Sequence, residues 1–174
     1  MSPKPFVIEA IMLAIYGELM APSLPVEYLI PASTIYELDE FIQSPEPIMP
    51  LAGDDQYVRQ VMQEMSKFFS DPFNRKRLEK GLIAPWSKVP FTFPNGVTLT
   101  IVNGEDNAMW GEIFDPVETQ LLLTSIRFEV PMITDQPDFQ DRILEYVVPV
   151  QFYDVEDFEF ALEQGISLKE LQEP

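Results

Sequence analysis

Apolar positions along the chain alternate between short runs and helical spacing. Phe6, Val7 and Ile8 form a compact run, and Ile11, Met12, Ile15, Tyr16 and Leu19 follow at intervals of three and four. Residues 5–20 therefore read either as one amphipathic helix or as a buried strand at 5–9 that turns into a helix near residue 11. VEYLI (26–30) is β-branched and apolar and predicts a buried strand that Pro31 ends. Ser33 is a good N-cap for a helix through STIYELDEFIQ, with Ile35, Leu38, Phe41 and Ile42 on one face. SPEPIMPLAGDD (44–55) reads as a loop. Asp54 or Asp55 then caps a helix at 56–69 with Val58, Val61, Met62, Met65 and Phe69 inward, and after Asp71-Pro72 a second helix, FNRKRLEKGL, stops at Gly81.

VPFTF (89–93) and VTLTIV (97–102) flank Pro-Asn-Gly and predict two strands across a turn, the second and more β-branched one being the sheet strand. GEDNAMWGEIF reads as irregular. Asp115-Pro116 opens a helix that carries Leu121, Leu122, Ser125 and Ile126. VPMIT (130–134) predicts a buried strand, QPDFQDRILEYV a helix with Phe139, Ile143 and Leu144 inward, and VPVQFY (148–153) another strand. Asp154 caps VEDFEFALEQG, which ends at Gly165. Short strands, apolar on both faces and separated by helices, are the pattern of an α/β fold: a three-layer sandwich around a central parallel sheet. That pattern favours the strand reading of 5–9. Residues 1–166 are expected to form a single domain, and 167–174 a short acidic tail. In such a fold ligands bind at the carboxyl ends of the strands, where the strand order reverses.

Composition narrows the chemistry. With 46% hydrophobic and 12% aromatic residues in 174, the chain can bury a full core. It has no run of eighteen apolar residues, so no membrane partner is expected, and its N-terminus lacks the features of a signal peptide, so a cytoplasmic location is expected. It contains no cysteine and no histidine, which excludes disulfides, thiolate zinc sites, Ser-His-Asp and Cys-His catalysis and imidazole ligands. The 11 basic against 29 acidic residues leave a net charge of −18, which repels nucleic acid and anionic lipid at long range and favours a cation or a basic partner.

Placed on the α/β scaffold, the acids gather at one end of the sheet. Glu9 closes the first strand, Glu37 and Glu118 lie in the first turns of two helices that follow strands, and Asp135 and Asp138 follow the fourth strand. Like charges at such proximity raise each other's pKa unless a cation screens them, and Mg²⁺ or Mn²⁺ is the natural occupant. Glu37, Glu118 and Asp138 also each suit a helix N-terminus, where an acid offsets the macrodipole. Seven of the 11 basic residues fall between 59 and 88: Arg59, Lys67, Arg75, Lys76, Arg77, Lys80 and Lys88. This stretch reads as a solvated helical face, as a phosphate clamp with Trp86 and Phe91 near enough to stack on bases, or as a dock for an acidic partner.

The segments FVIEAIMLAIYG, LIPASTIYEL and DPVETQLLLTSIRFEVPMITDQPDF resemble the three signature segments of PIN domains, metal-dependent nucleases that include the toxins of bacterial toxin–antitoxin pairs. The resemblance implies a sheet of order 3-2-1-4-5 and hydrolysis of RNA phosphodiesters with Mg²⁺ or Mn²⁺. Glu9, Glu37, Glu118 and Asp138 would be the catalytic ligands, Asp115 a rival to Glu118, and Asp135 a further metal ligand. Arg75, Lys76, Arg77 and Lys80 would hold RNA, and an antitoxin-like or regulatory protein partner and a homodimer are the family's expectations. The sequence departs from the pattern at three places: Glu9 stands where the family has Asp, Ala10-Ile11 where it has a small polar pair, and Gln136 where it has an acid. The alternative is thus a degenerate PIN-like protein that no longer cuts and serves as a protein-binding or regulatory module.

Overall fold

A computed structural model of the chain describes residues 2–104, 110 and 112–164. Its strands and helices run β1 (Lys4–Val7), α1 (Ala10–Ile15), β2 (Val26–Pro31), α2 (Ala32–Gln43), α3 (Ala52–Ser70), α4 (Pro72–Gly81), β3 (Lys88–Thr92), β4 (Val97–Val102), α5 (Pro116–Phe128), β5 (Met132–Ile133), α6 (Pro137–Glu145), β6 (Phe152–Tyr153) and α7 (Phe158–Gln164). The protein is α/β. Among the described residues six strands form one sheet in the order β3-β4-β2-β1-β5-β6. Five of them are parallel, and β3 joins β4 antiparallel.

The expected order of 3-2-1-4-5 is therefore corrected by an extra edge strand. VPFTF is a sheet strand too, because the turn at Pro94-Asn95-Gly96, with Gly96 at φ 85°, folds it back onto β4. Counting the parallel strands alone, the succession is 3-2-1-4-5.

Side chains alternate across the strands and feed two cores. Phe6, Tyr28, Ile30, Leu99 and Ile101 pack on one face with α1–α4 and α7. Val7, Leu29, Val102 and Met132 pack on the other with Leu121 and Leu122 of α5 and Phe139 and Ile143 of α6. Both faces are thus covered, as near-continuous apolar strands require. Residues 5–20 split as the α/β pattern favours: β1 is followed by Glu9 as N-cap of α1. Gly81 lets α4 close onto β3, since a Cβ there would collide with Val89 Cγ2.

Several local expectations are overturned. Pro31, not Ser33, occupies the N-cap of α2, and the Ser33 hydroxyl instead donates to Gln120 Oε1 at 2.7 Å. Helix α3 begins at Ala52 rather than 56. Asp55 sits inside its first turn, accepts from Ile48 N and Met49 N, and pairs with Arg59 Nε at 2.9 Å. Leu144 is 66% exposed rather than inward, and VPVQFY is strand only at Phe152–Tyr153. Asp154 stands at the N-cap of a 3-10 turn at Val155–Asp157 as expected, but its side chain makes no cap bond there and accepts from Gln140 Nε2 at 2.6 Å instead. Gly165, the 167–174 tail and most of GEDNAMWGEIF lie outside the described residues.

Candidate functional site: an acidic cleft at the carboxyl edge of the sheet

Where β1 and β2 end, the chain enters α1 and α2. The two junctions are tied together: Ala10 N donates to Thr34 Oγ1 at 3.2 Å, and the Thr34 hydroxyl donates to Pro31 O at 2.9 Å. This places Glu9, just beyond β1, beside Glu37 on α2. Across from them the N-terminus of α5 forms a capping box. Glu118 N donates to Asp115 Oδ1 at 2.7 Å, and Asp115 N donates to Glu118 Oε1 at 3.0 Å. Glu9, Glu37, Asp115 and Glu118 line one cleft of about 410 Å³, together with Thr134, Gln136, Phe139 and Leu121.

The electrostatics of the cleft follow from burial and crowding. Burial, followed by the charges of Glu37, Asp115, Asp135 and Glu118, pushes the Glu9 carboxyl up to about 7. Glu37 is raised as well, first by burial, then by Glu40 and Asp115.

Two of the expected ligands are already engaged. Glu118 is 6% exposed, and Arg142 grips it with both arms of its guanidinium: Nη1 to Oε1 at 2.8 Å and Nη2 to Oε2 at 2.6 Å. Asp135 Oδ2 accepts the phenol of Tyr16. Burial and then this bond push the Tyr16 hydroxyl up to about 12, so it stays a donor. Asp138 is exposed in the first turn of α6 and is not among the residues lining the cleft, whereas Gln136 is. Among the described residues, no three acidic side chains gather closely enough to hold a metal ion. The donor set therefore does not fit the metal centre that the resemblance implies.

The basic stretch divides between structural and exposed cations. Arg59 is tied to Asp55 and to the carbonyls of Phe41, Ile42 and Glu46. Arg77 donates to Pro90 O at 2.8 Å and lies over the Phe91 ring. Arg75 pairs loosely with Glu79 at 3.7 Å, and Lys76 and Lys80 are exposed. Phe91 is buried in the core, so it is not placed to stack on bases, and Trp86 is half-buried with its ring T-shaped against Phe128.

Sequence reasoning missed Arg142 and Tyr16. Arg142 carried one usable signal: it follows Asp138 by four residues, on the helix expected to supply a ligand. Neither a protein-family model nor a curated protein sequence matches this chain. Among the described residues no helix is long and apolar enough to cross a membrane.

Proposed function

We propose that the chain is a PIN-like domain that does not cut nucleic acid and works as a protein-binding module, with the acidic cleft receiving a cationic side chain of its partner. The observation that carries this reading is the prior commitment of the ligand set. Arg142 takes both oxygens of Glu118, and Tyr16 holds Asp135. Among the described residues Glu9 and Glu37 carry no cation on the cleft wall, with Glu9 raised to about 7, which is an environment that rewards an incoming cation. The test is incubation of the purified protein with single-stranded RNA in Mn²⁺ at low salt. No cleavage is expected from the natural protein or from Glu37→Gln. Cleavage that Glu37→Gln abolishes overturns the reading.

A metal-dependent ribonuclease is the second reading, favoured by one observation: four carboxylates from three separate chain segments line a single cleft at the carboxyl edge of a parallel sheet. Under it, Arg75, Lys76 and Lys80 would meet RNA phosphates on α4, with Arg77 held back by Pro90 O. The same RNA assay separates the two.

A further inference from the structure

We propose that the outward face of α4 is a docking site for an acidic protein segment that carries apolar anchors. The proposal goes beyond the reading above, because it uses none of the cleft residues. Four of the chain's 11 basic residues, Arg75, Lys76, Arg77 and Lys80, fall within six positions of this helix, with Glu79 the one acid among them. The fold sorts these cations by direction. Leu78 is buried in the core, and at about 3.6 residues per turn Phe73, Lys76 and Lys80 fall on the opposite side, where all three are exposed. Arg77 is drawn to the sheet by Pro90 O and the Phe91 ring. Among the described residues Lys76 and Lys80 enter no ion pair, and Arg75 meets Glu79 only at 3.7 Å with both side chains largely in solvent.

Apolar side chains bracket the lysines. Phe73 is 71% exposed in the first turn of α4, and Ile83 is 79% exposed just past its end. The helix that presents them is pinned at its start, where Asp71 Oδ1 accepts from Phe73 N at 3.1 Å and Asn74 N at 3.4 Å, and at its middle by the bond from Arg77 to Pro90 O. Large apolar side chains held in water beside unpaired charges gain free energy only when a partner covers them.

The sign of the charge selects that partner. The chain as a whole carries −18, so a positive face is a local exception that attracts an acidic group and rejects a basic one. RNA suits the face less well. Arg75, Lys76 and Lys80 would release few counterions, a slope of about −2 in log K against log salt, while the rest of the body repels an extended polyanion. Ile83 offers no π-face to a base, and Phe91 is buried. An anionic membrane meets the same repulsion over a wider area. A short acidic segment touches the α4 face alone, and its apolar side chains cover Phe73 and Ile83.

The experiment measures binding of the purified full chain at low salt to fluorescein-labelled poly(Glu,Tyr) copolymer, poly-L-glutamate and oligouridylate, and its co-sedimentation with vesicles of equal parts phosphatidylserine and phosphatidylcholine. Poly(Glu,Tyr), which carries both acid and aromatic rings, is expected to bind tightest. Lys76→Glu/Lys80→Glu should weaken that binding about tenfold or more. Phe73→Ser should remove the advantage of poly(Glu,Tyr) over poly-L-glutamate. Both variants change exposed side chains and should melt as the natural protein does, so that a loss of binding is not a loss of fold. The proposal is overturned if poly(Glu,Tyr) does not bind, if it binds no tighter than poly-L-glutamate, or if the lysine variant binds it as well as the natural protein. It is overturned equally if oligouridylate or the vesicles bind more tightly, which would make the face a phosphate surface. None of these outcomes is the RNA cleavage that decides the reading of the cleft, so the two can fail separately.

Discussion

Thr34 is the hinge pin between the first two crossovers: its hydroxyl accepts from Ala10 N while donating to Pro31 O. Both bonds are buried, and together they fix how far Glu9 stands from α2. Thr34→Val keeps the shape and removes both. It should cost about 1–3 kcal/mol in urea unfolding, since the buried Ala10 N–H loses its acceptor. Thr34→Ser should retain most of the stability. Equal effects from Val and Ser would show that the hydroxyl is dispensable.

The raised carboxyl of Glu9 makes stability depend on pH. Unfolded, the group ionises near 4.5, and folded near 7. Its neutral form is favoured by the fold, so its contribution is full below pH 4.5 and fades as pH rises to 7. The change is about 3 kcal/mol, from 1.4 kcal/mol per unit. Glu37 is shifted in the same direction and adds to the slope. Glu9→Gln should flatten the profile between pH 5 and 8 and stabilise the protein at pH 8. Denaturant midpoints at several pH values read this directly, and a Glu9→Gln profile parallel to that of the natural protein would contradict it.

Helix α6 ends in a Schellman motif with the wrong residue at its turning point. Val148 N reaches Ile143 O at 3.0 Å and Val147 N reaches Leu144 O, while Val147 itself has φ 51° and is 84% exposed. A β-branched side chain in the left-handed region costs roughly 1–2 kcal/mol. Val147→Gly should therefore raise stability by about 1 kcal/mol with no loss of packing. A destabilised Val147→Gly would mean that the valine makes contacts that offset its strain.

Gly81 supplies a steric test of the helix–edge contact. Gly81→Ala must push Val89 aside, with an expected cost of about 1–3 kcal/mol. Val89→Ala in the same chain should cancel part of that cost, and a double-mutant cycle measures the coupling.

What the sequence disclosed and what it withheld divide along contact range. The β-branched runs at 26–30 and 97–102 announced their strands, and Asp115-Pro116 announced its helix, because those signals are local. The ends of α5 and α6 gave no warning, since Glu129 and Val147 hold the left-handed position that glycine usually marks. Ser33 looked like a cap because its partner, Gln120, lies 87 residues away. At the cleft, the sequence pattern placed Glu9, Glu37 and Glu118 together, but Asp135 and Asp138, expected beside them, are not among the residues lining it. The ownership of Glu118 by Arg142, 24 residues on, and of Asp135 by Tyr16, 119 residues back, is a tertiary fact that no spacing encodes.

The antiparallel strand β3 has a consequence for assembly. Phe93 N bonds Val97 O and Asn103 N bonds Ser87 O, so alternate residues face β4 while Lys88, Pro90 and Thr92 turn their backbone outward. Of those three, Pro90 has no N–H to offer and its carbonyl is already held by Arg77. The opposite rim, β6, is two residues long. Neither border of the sheet is a good template for another strand. Among the described residues, the two rims thus guard against the edge-to-edge stacking by which open sheets aggregate.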